Sequence, residues 1–129
     1  MSVRWVSLSA LCAAAALAGG CGGRITPPAP ADPAAARNGL RAALDAWKRG
    51  EPPDALKGRQ PPVYVNDPEW RSGLRLADYA LLDDAPAGAD LRCRVVLSLS
   101  DPSGRARPKA AVYDVGASPA VTVSREEDP

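Results

Sequence analysis

Apolar residues recur along the chain with two distinct periods. Leu40, Ala43, Leu44 and Trp47 fall at i, i+3, i+4 and i+7, while Arg37, Arg41, Asp45 and Lys48 lie off that stripe. This spacing predicts an amphipathic helix. Asp32 supplies an N-cap oxygen and Pro33 a first helical residue whose missing N–H costs nothing. Lys48 and Arg49 suit the negative end of the helix dipole, and Gly50 can take a left-handed cap, so the helix is placed at 33–49. Further on the period changes to two. Leu91, Cys93, Val95, Leu97 and Leu99 alternate with Arg92, Arg94, Val96, Ser98 and Ser100, a strand with one apolar and one mostly polar face.

Three more strands are expected at 74–82, 110–115 and 120–125, separated by turn-rich pieces at 83–90, 101–104 and 116–119. Between helix and strands, residues 51–68 hold five prolines, which excludes long regular structure. Within them, 53–57 can form one helical turn closed by Gly58, and Val63-Tyr64-Val65 is a short extended piece. Asn66-Asp67-Pro68 is a turn signal, after which Glu69-Trp70-Arg71 leads into the first long strand. The expected architecture is α+β: a single small domain at 33–125 with one N-terminal helix laid across the apolar face of an antiparallel meander of about four strands. This element order resembles the cystatin-like or NTF2-like group, in which a long N-terminal helix is wrapped by a curved antiparallel sheet.

Ahead of the domain, one positive charge at Arg4 precedes an apolar run from Trp5 to Ala18 and then Leu17-Ala18-Gly19-Gly20-Cys21. The apolar run is shorter than the roughly 20 residues of a membrane-crossing helix, so 1–20 reads as a signal peptide. Small residues directly before a cysteine resemble the lipobox of bacterial lipoproteins, and the resemblance implies lipid attachment at Cys21. Gly22 is not the aspartate that retains such proteins at the inner membrane, so the resemblance points to the outer membrane. On the residues alone, an ordinary secretory signal cut near Ala18 stays open. Residues 21–32, rich in Pro and Gly, read as a tether that spans about 30 Å if extended at about 3.1 Å per residue.

Composition narrows the chemistry. Among the 129 residues, sixteen Lys and Arg face fifteen Asp and Glu, and the two are equal once Arg4 is removed. Nucleic acid is therefore not an expected partner, since binding phosphates takes a basic excess. With no histidine, Ser-His and Cys-His catalysis and imidazole metal sites are excluded. Cys12 leaves with the signal and Cys21 carries lipid, so Cys93 stands alone on an apolar strand face, where burial makes a thiol inert. Asp83, Asp84 and Asp90 cluster in an expected loop but lack the EF-hand spacing, and no residue set demands a metal or a cofactor. Asp78-Tyr79 and Tyr113-Asp114 pair an acid with a phenol, residue types that isomerase-like members of the NTF2-like group use. Strand neighbours face opposite ways, which leaves only a cross-strand pairing of Tyr113 with Asp78. Trp70, Arg92 and Arg94 are the candidate partner contacts, with core packing for Trp70 and a solvated sheet face for the arginines as the plainer alternatives. Residues 126–129, with Arg125 before them, read as a frayed acidic end.

The expected function is a non-catalytic interaction or structural module, held to the membrane by its N-terminal lipid and meeting an envelope protein. The alternative is a small-ligand or enzymatic NTF2-like domain working through the concave sheet face.

Overall fold

A computed structural model describes residues 32–127. The elements run α1 (Pro33–Lys48), a 3₁₀ turn (Pro53–Gly58), β1 (Val63–Asn66), α2 (Pro68–Arg71), β2 (Arg75–Ala87), β3 (Asp90–Ser100), β4 (Ala106–Gly116) and β5 (Val121–Arg125). The fold is α+β, with one main helix and a mostly antiparallel sheet. The expected signal segment at 1–20, the expected tether up to residue 31 and the last two residues, 128 and 129, lie outside the described residues.

Helix α1 begins as its cap residues dictate: the Asp32 carboxylate accepts from the Ala34 and Ala35 N–H groups at 3.0 and 3.4 Å. It ends at Lys48, one residue before the expected boundary, where Gly50 takes φ 80° and its N–H bonds the Trp47 carbonyl at 2.9 Å. The stripe residues Leu40, Ala43, Leu44 and Trp47 are all buried, and α1 contacts all five strands. Gly39 is where helix and sheet come closest. A Cβ there would stand 2.5 Å from a Val121 methyl carbon, so a larger residue would push the helix off β5.

The sheet has five strands in the order β1-β5-β4-β3-β2. Strands β2 to β5 form an antiparallel meander, as the turn spacing predicts. The expected count of about four is corrected by β1, the Val63-Tyr64-Val65 piece with Asn66, which pairs parallel to β5 with Val63 opposite Val121. Its alternation of buried Val63 and Val65 with exposed Tyr64 and Asn66 spans only four residues, too few to announce a strand before a neighbour supplies the hydrogen bonds.

A second correction concerns the expected loop at 83–90. β2 continues through it to Ala87, pairing Asp83 with Arg94, Asp84 with Cys93 and Ala85 with Arg92. Only a tight turn remains, with Gly88 at φ 61°. Asp and Pro lower strand propensity, but cross-strand partners on β3 override it. Two register shifts, between Leu76 and Asp78 and between Leu81 and Asp83, mark bulges in this edge strand. β4 likewise starts at Ala106, earlier than expected. Pro108 is tolerated because it pairs with Ser98 on one side, while β5 pairs only with Tyr113–Gly116 on the other, so no ladder donor is missing there.

Candidate functional site

The space between helix and sheet is filled by side chains. Leu40, Leu44 and Trp47 from α1 meet Val95 and Leu97 from β3, and each is at most 2% exposed. Trp70 joins this core, the plainer of the two readings open for it, with its ring edge at a groove. The Asp67 carboxylate caps α2 by accepting from the Glu69 and Trp70 N–H groups at 3.0 and 3.3 Å. The short helix so formed swings the indole inward, where it stacks on Trp47 with ring centroids 5.3 Å apart. Its Nε1–H donates to the Glu51 carbonyl at 2.9 Å, and that of Trp47 donates to the Leu74 carbonyl at 2.8 Å. The signal for this was present in Asp67-Pro68, an N-cap followed by a first-turn proline.

Arg92 and Arg94 lie exposed on the sheet face away from α1, opposite in sense to buried Cys93. Both are already paired within the chain. Arg92 Nε meets Asp114 at 3.4 Å and Glu126 at 2.8 Å, and Arg94 Nη1 meets Asp83 at 2.9 Å. Asp84, the other member of the expected acidic loop, accepts from the Arg37 Nη2 at 2.7 Å, with Arg37 Nε on its second oxygen. That guanidinium holds the Asp84 carboxyl below the ordinary carboxylate range. Among the described residues, no group of three His, Cys, Asp or Glu side chains is placed to hold a metal ion.

The acid–phenol pairs also resolve into separate roles. Tyr79 donates its hydroxyl proton to Asp45 at 2.7 Å, and burial followed by the Asp45 hydrogen bond pushes its phenol up to about 12. Asp78 is exposed and pairs with Lys48 at 3.3 Å. Tyr113 does not meet Asp78; it is buried and donates to Asp67 instead. Asp67 is fully buried and also faces Arg125 Nη1 at 3.4 Å, while Arg125 Nη2 bonds Glu69, which Lys109 Nζ approaches at 3.0 Å. The Arg125 guanidinium further sits 5.6 Å from the Tyr113 ring centroid. Burial, reinforced by the neighbouring Asp67 charge, drives the Tyr113 phenol well above its ordinary range. The expected frayed end is corrected accordingly. The Arg125 side chain is 5% exposed, and the Glu126 N–H bonds the Val112 carbonyl at 2.8 Å.

Cys93 is buried and free, and burial pushes its thiol up to about 11. At neutral pH it is a protonated core residue. Cys21 lies outside the described residues.

Several open grooves mark the surface, one of about 450 Å³ between α1 and β2 at Arg41, Asp45 and Asp78, and two more at one end of the domain. A groove of about 440 Å³ is lined by Glu51, Pro52, Pro53, Arg71, Leu74 and Arg75 over the edges of Trp47 and Trp70. A second groove of about 510 Å³ runs on from it, sharing Gly73, Leu74 and Arg75 and continuing past Ser100, Asp101 and Gly104. Arg75 stands opposite Ser100 on β3, Ser100 opposite Ala106 on β4, and Arg107 opposite Leu99. Register brings Arg75, Arg105 and Arg107 to this end but not to one face: Arg75 stands with Ser100 on the side away from α1, and Arg107 with buried Leu99 on the other. All three are exposed, and none makes an ion pair among the described residues. This trio was not legible in the sequence, where Arg75 and Arg105 are thirty positions apart.

Compared with known proteins, the chain matches no family model, and no curated protein or solved structure matches it. Among the described residues no helix is long and apolar enough to cross a membrane.

Proposed function

We propose that the protein is a lipid-anchored envelope protein whose domain acts as a non-catalytic interaction module, with its helix and sheet arranged in the cystatin-like or NTF2-like manner. The anchor reading rests on the charged, apolar and small-residue succession that ends at Cys21. Gly22 favours the outer membrane over the inner, by resemblance to the sorting of other lipoproteins. The observation that carries the module reading is the arrangement of the domain's two ends. Arg37 on Asp84 ties the start of α1 to the far end of β2, so the chain enters the domain at Asp32, remote from the grooves around Arg75. An anchor at that entry would present the grooves away from its membrane. The filled interface of Leu40, Leu44, Trp47, Val95 and Leu97 favours this reading over an NTF2-like ligand pocket on the concave face.

Feeding cells a clickable fatty acid tests the anchor. The protein should take up label, and Cys21→Ser should abolish labelling and leave a soluble protein or an unprocessed precursor. An unlabelled wild-type chain would remove the lipid from the account. Crosslinking in membranes, followed by identification of the adduct, tests the module: recovery of a reproducible envelope protein is expected, and a chain that crosslinks to nothing contradicts it.

A further inference from the structure

We propose that the chain pairs with a second copy of itself along the outer edge of β2, the two strands running antiparallel about a two-fold axis at Tyr79 and joining two five-stranded sheets into one. The inference stands apart from both the anchor and the envelope partner proposed above.

The two edges of the sheet are unequal. β1 has four residues and packs against the 3₁₀ turn, whereas β2 has thirteen and pairs only with β3. Two bulges leave Asp78 to Leu81 as a straight piece between them, and there the groove of about 450 Å³ opens between the strand and Arg41, Asp45 and Lys48 of α1. The Tyr79 N–H is turned out of the ladder and donates to the exposed Asp78 carboxylate at 2.9 Å. An arriving strand replaces that carboxylate with a carbonyl, the ordinary way in which an open edge is extended. Leu82, at 53% exposure the most exposed large apolar side chain among the described residues, lies on this strand and gains cover in the pair.

Charge commits the edge to a second copy. Arg75, Asp78, Ala80 and Asp83 stand opposite Ser100, Ser98, Val96 and Arg94 of β3, so all four face away from α1. Pairing about Tyr79 keeps them on that face and sets Arg75 of each copy opposite Asp83 of the other. Unlike charges directly opposed stabilise an antiparallel pair, and like charges weaken it. Arg75 makes no ion pair among the described residues. Asp83 holds Arg94 at 2.9 Å through one oxygen and has a second to offer. The strand thus carries both halves of a reciprocal contact, which is what a two-fold interface requires. A strand from an unrelated protein needs the opposite order of charge to fit as well. Acids and bases of the chain nearly cancel, so two copies do not repel. Pro86, with no N–H to give, bounds the paired stretch, and the packed β1 edge stops the assembly at two copies.

The register is read by a zero-length crosslink. The full chain carrying Arg75→Lys is prepared isotope-labelled and unlabelled, mixed in detergent with micelles in large excess over protein, and treated with a carbodiimide, which joins an amine to a carboxylate without a spacer. Within one chain, positions 75 and 83 are separated by eight steps of strand, about 26 Å at about 3.3 Å per residue, too far for that bond. A crosslinked peptide joining position 75 to Asp83, one half labelled and the other not, is expected. Sedimentation of the unmodified chain should show monomer giving way to dimer between about 1 μM and 1 mM. Arg75→Glu sets like charges opposite at both contacts and should weaken the dimer severalfold, while Arg75→Glu with Asp83→Arg should recover it. Arg92→Gln, on the same face but one strand further in, should leave it unchanged. The altered side chains are exposed, so circular dichroism should not change; should the double variant lose its native spectrum, the crosslink decides, since it needs neither reversal. A chain that stays monomeric to the highest concentration, crosslinks that never join 75 to 83 between copies, or a folded double variant that does not recover the dimer would overturn the proposal.

Discussion

The two edges of the sheet both use an aspartate to hold an arginine, and they do so under opposite conditions. At the β1 edge, Asp67 is fully buried and serves four donors: two backbone N–H groups of α2, the Tyr113 hydroxyl and Arg125. At the β2 edge, Asp84 meets Arg37 in good bidentate geometry, but the Arg37 side chain is 44% exposed. Water competes for the second pair and cannot reach the first. The first therefore works as a junction joining β1, α2, β4 and β5, because loss of any member strands the others without solvent. The second ties the start of α1 to the end of β2 where solvent can replace either partner.

The sharpest test of this contrast is Asp67→Ala. It leaves the Tyr113 hydroxyl and Arg125 buried without their acceptor and uncaps α2, so a loss of about 3–5 kcal/mol is expected from the denaturation midpoint. That is a large part of the 5–15 kcal/mol typical of a domain. Tyr113→Phe removes one donor and keeps the Asp67–Arg125 pair, and should cost less, about 1–3 kcal/mol. Equal losses for the two variants would mean that the phenol, not the carboxylate, is the centre of the junction.

High pH probes both edges together. Tyr79 is pushed up to about 12, and Tyr113 is raised further. A tyrosine of the unfolded chain ionises near 10. Both phenols therefore contribute stability that is complete below about pH 10 and is lost as pH climbs through their folded values. Denaturation midpoints measured across that range should fall from pH 10 upward, and Tyr113→Phe should flatten the fall. A profile level to pH 12 would contradict the assigned hydrogen bonds.

Asp84→Asn should have the smallest effect, a shift in midpoint at the limit of measurement, because exposed pairs contribute little. What it does contribute is present above the ordinary carboxylate range, near pH 4, and lost as acid protonates Asp84, whose folded value lies lower. A loss as large as that of Asp67→Ala would erase the distinction between the edges.

Cys93 separates the buried from the exposed by a chemical route. With its thiol pushed up to about 11, alkylation by iodoacetamide at neutral pH should be negligible in the folded protein and rapid in denaturant. Equal rates would place the apolar face of β3 in water.

How much of this was readable along the chain follows from the range of each cause. The limits of α1, its buried stripe and the two faces of β3 arise from neighbours within a few residues, so Asp32, Pro33, Gly50 and the alternation from Leu91 to Leu99 announced them. β1 was visible only as an extended fragment, since its hydrogen bonds come from β5, some sixty residues on. The strand character of 83–87 was hidden for the same reason: a carboxylate in a sheet is tolerable when Arg94 and Arg37 stand beside it, and their presence is a matter of register. Asp67 meets Tyr113 and Arg125 across separations of 46 and 58 residues. Periodicity states which side of a strand is buried, while the strand beside it is chosen by the closure of the whole core. The same holds for charge. The sequence by itself determined that acids and bases nearly cancel, and only the tertiary structure decided that Arg92 and Arg94 are matched while Arg41, Arg75, Arg105 and Arg107 make no ion pair among the described residues, because ion pairing depends on distances of a few ångströms that packing alone sets.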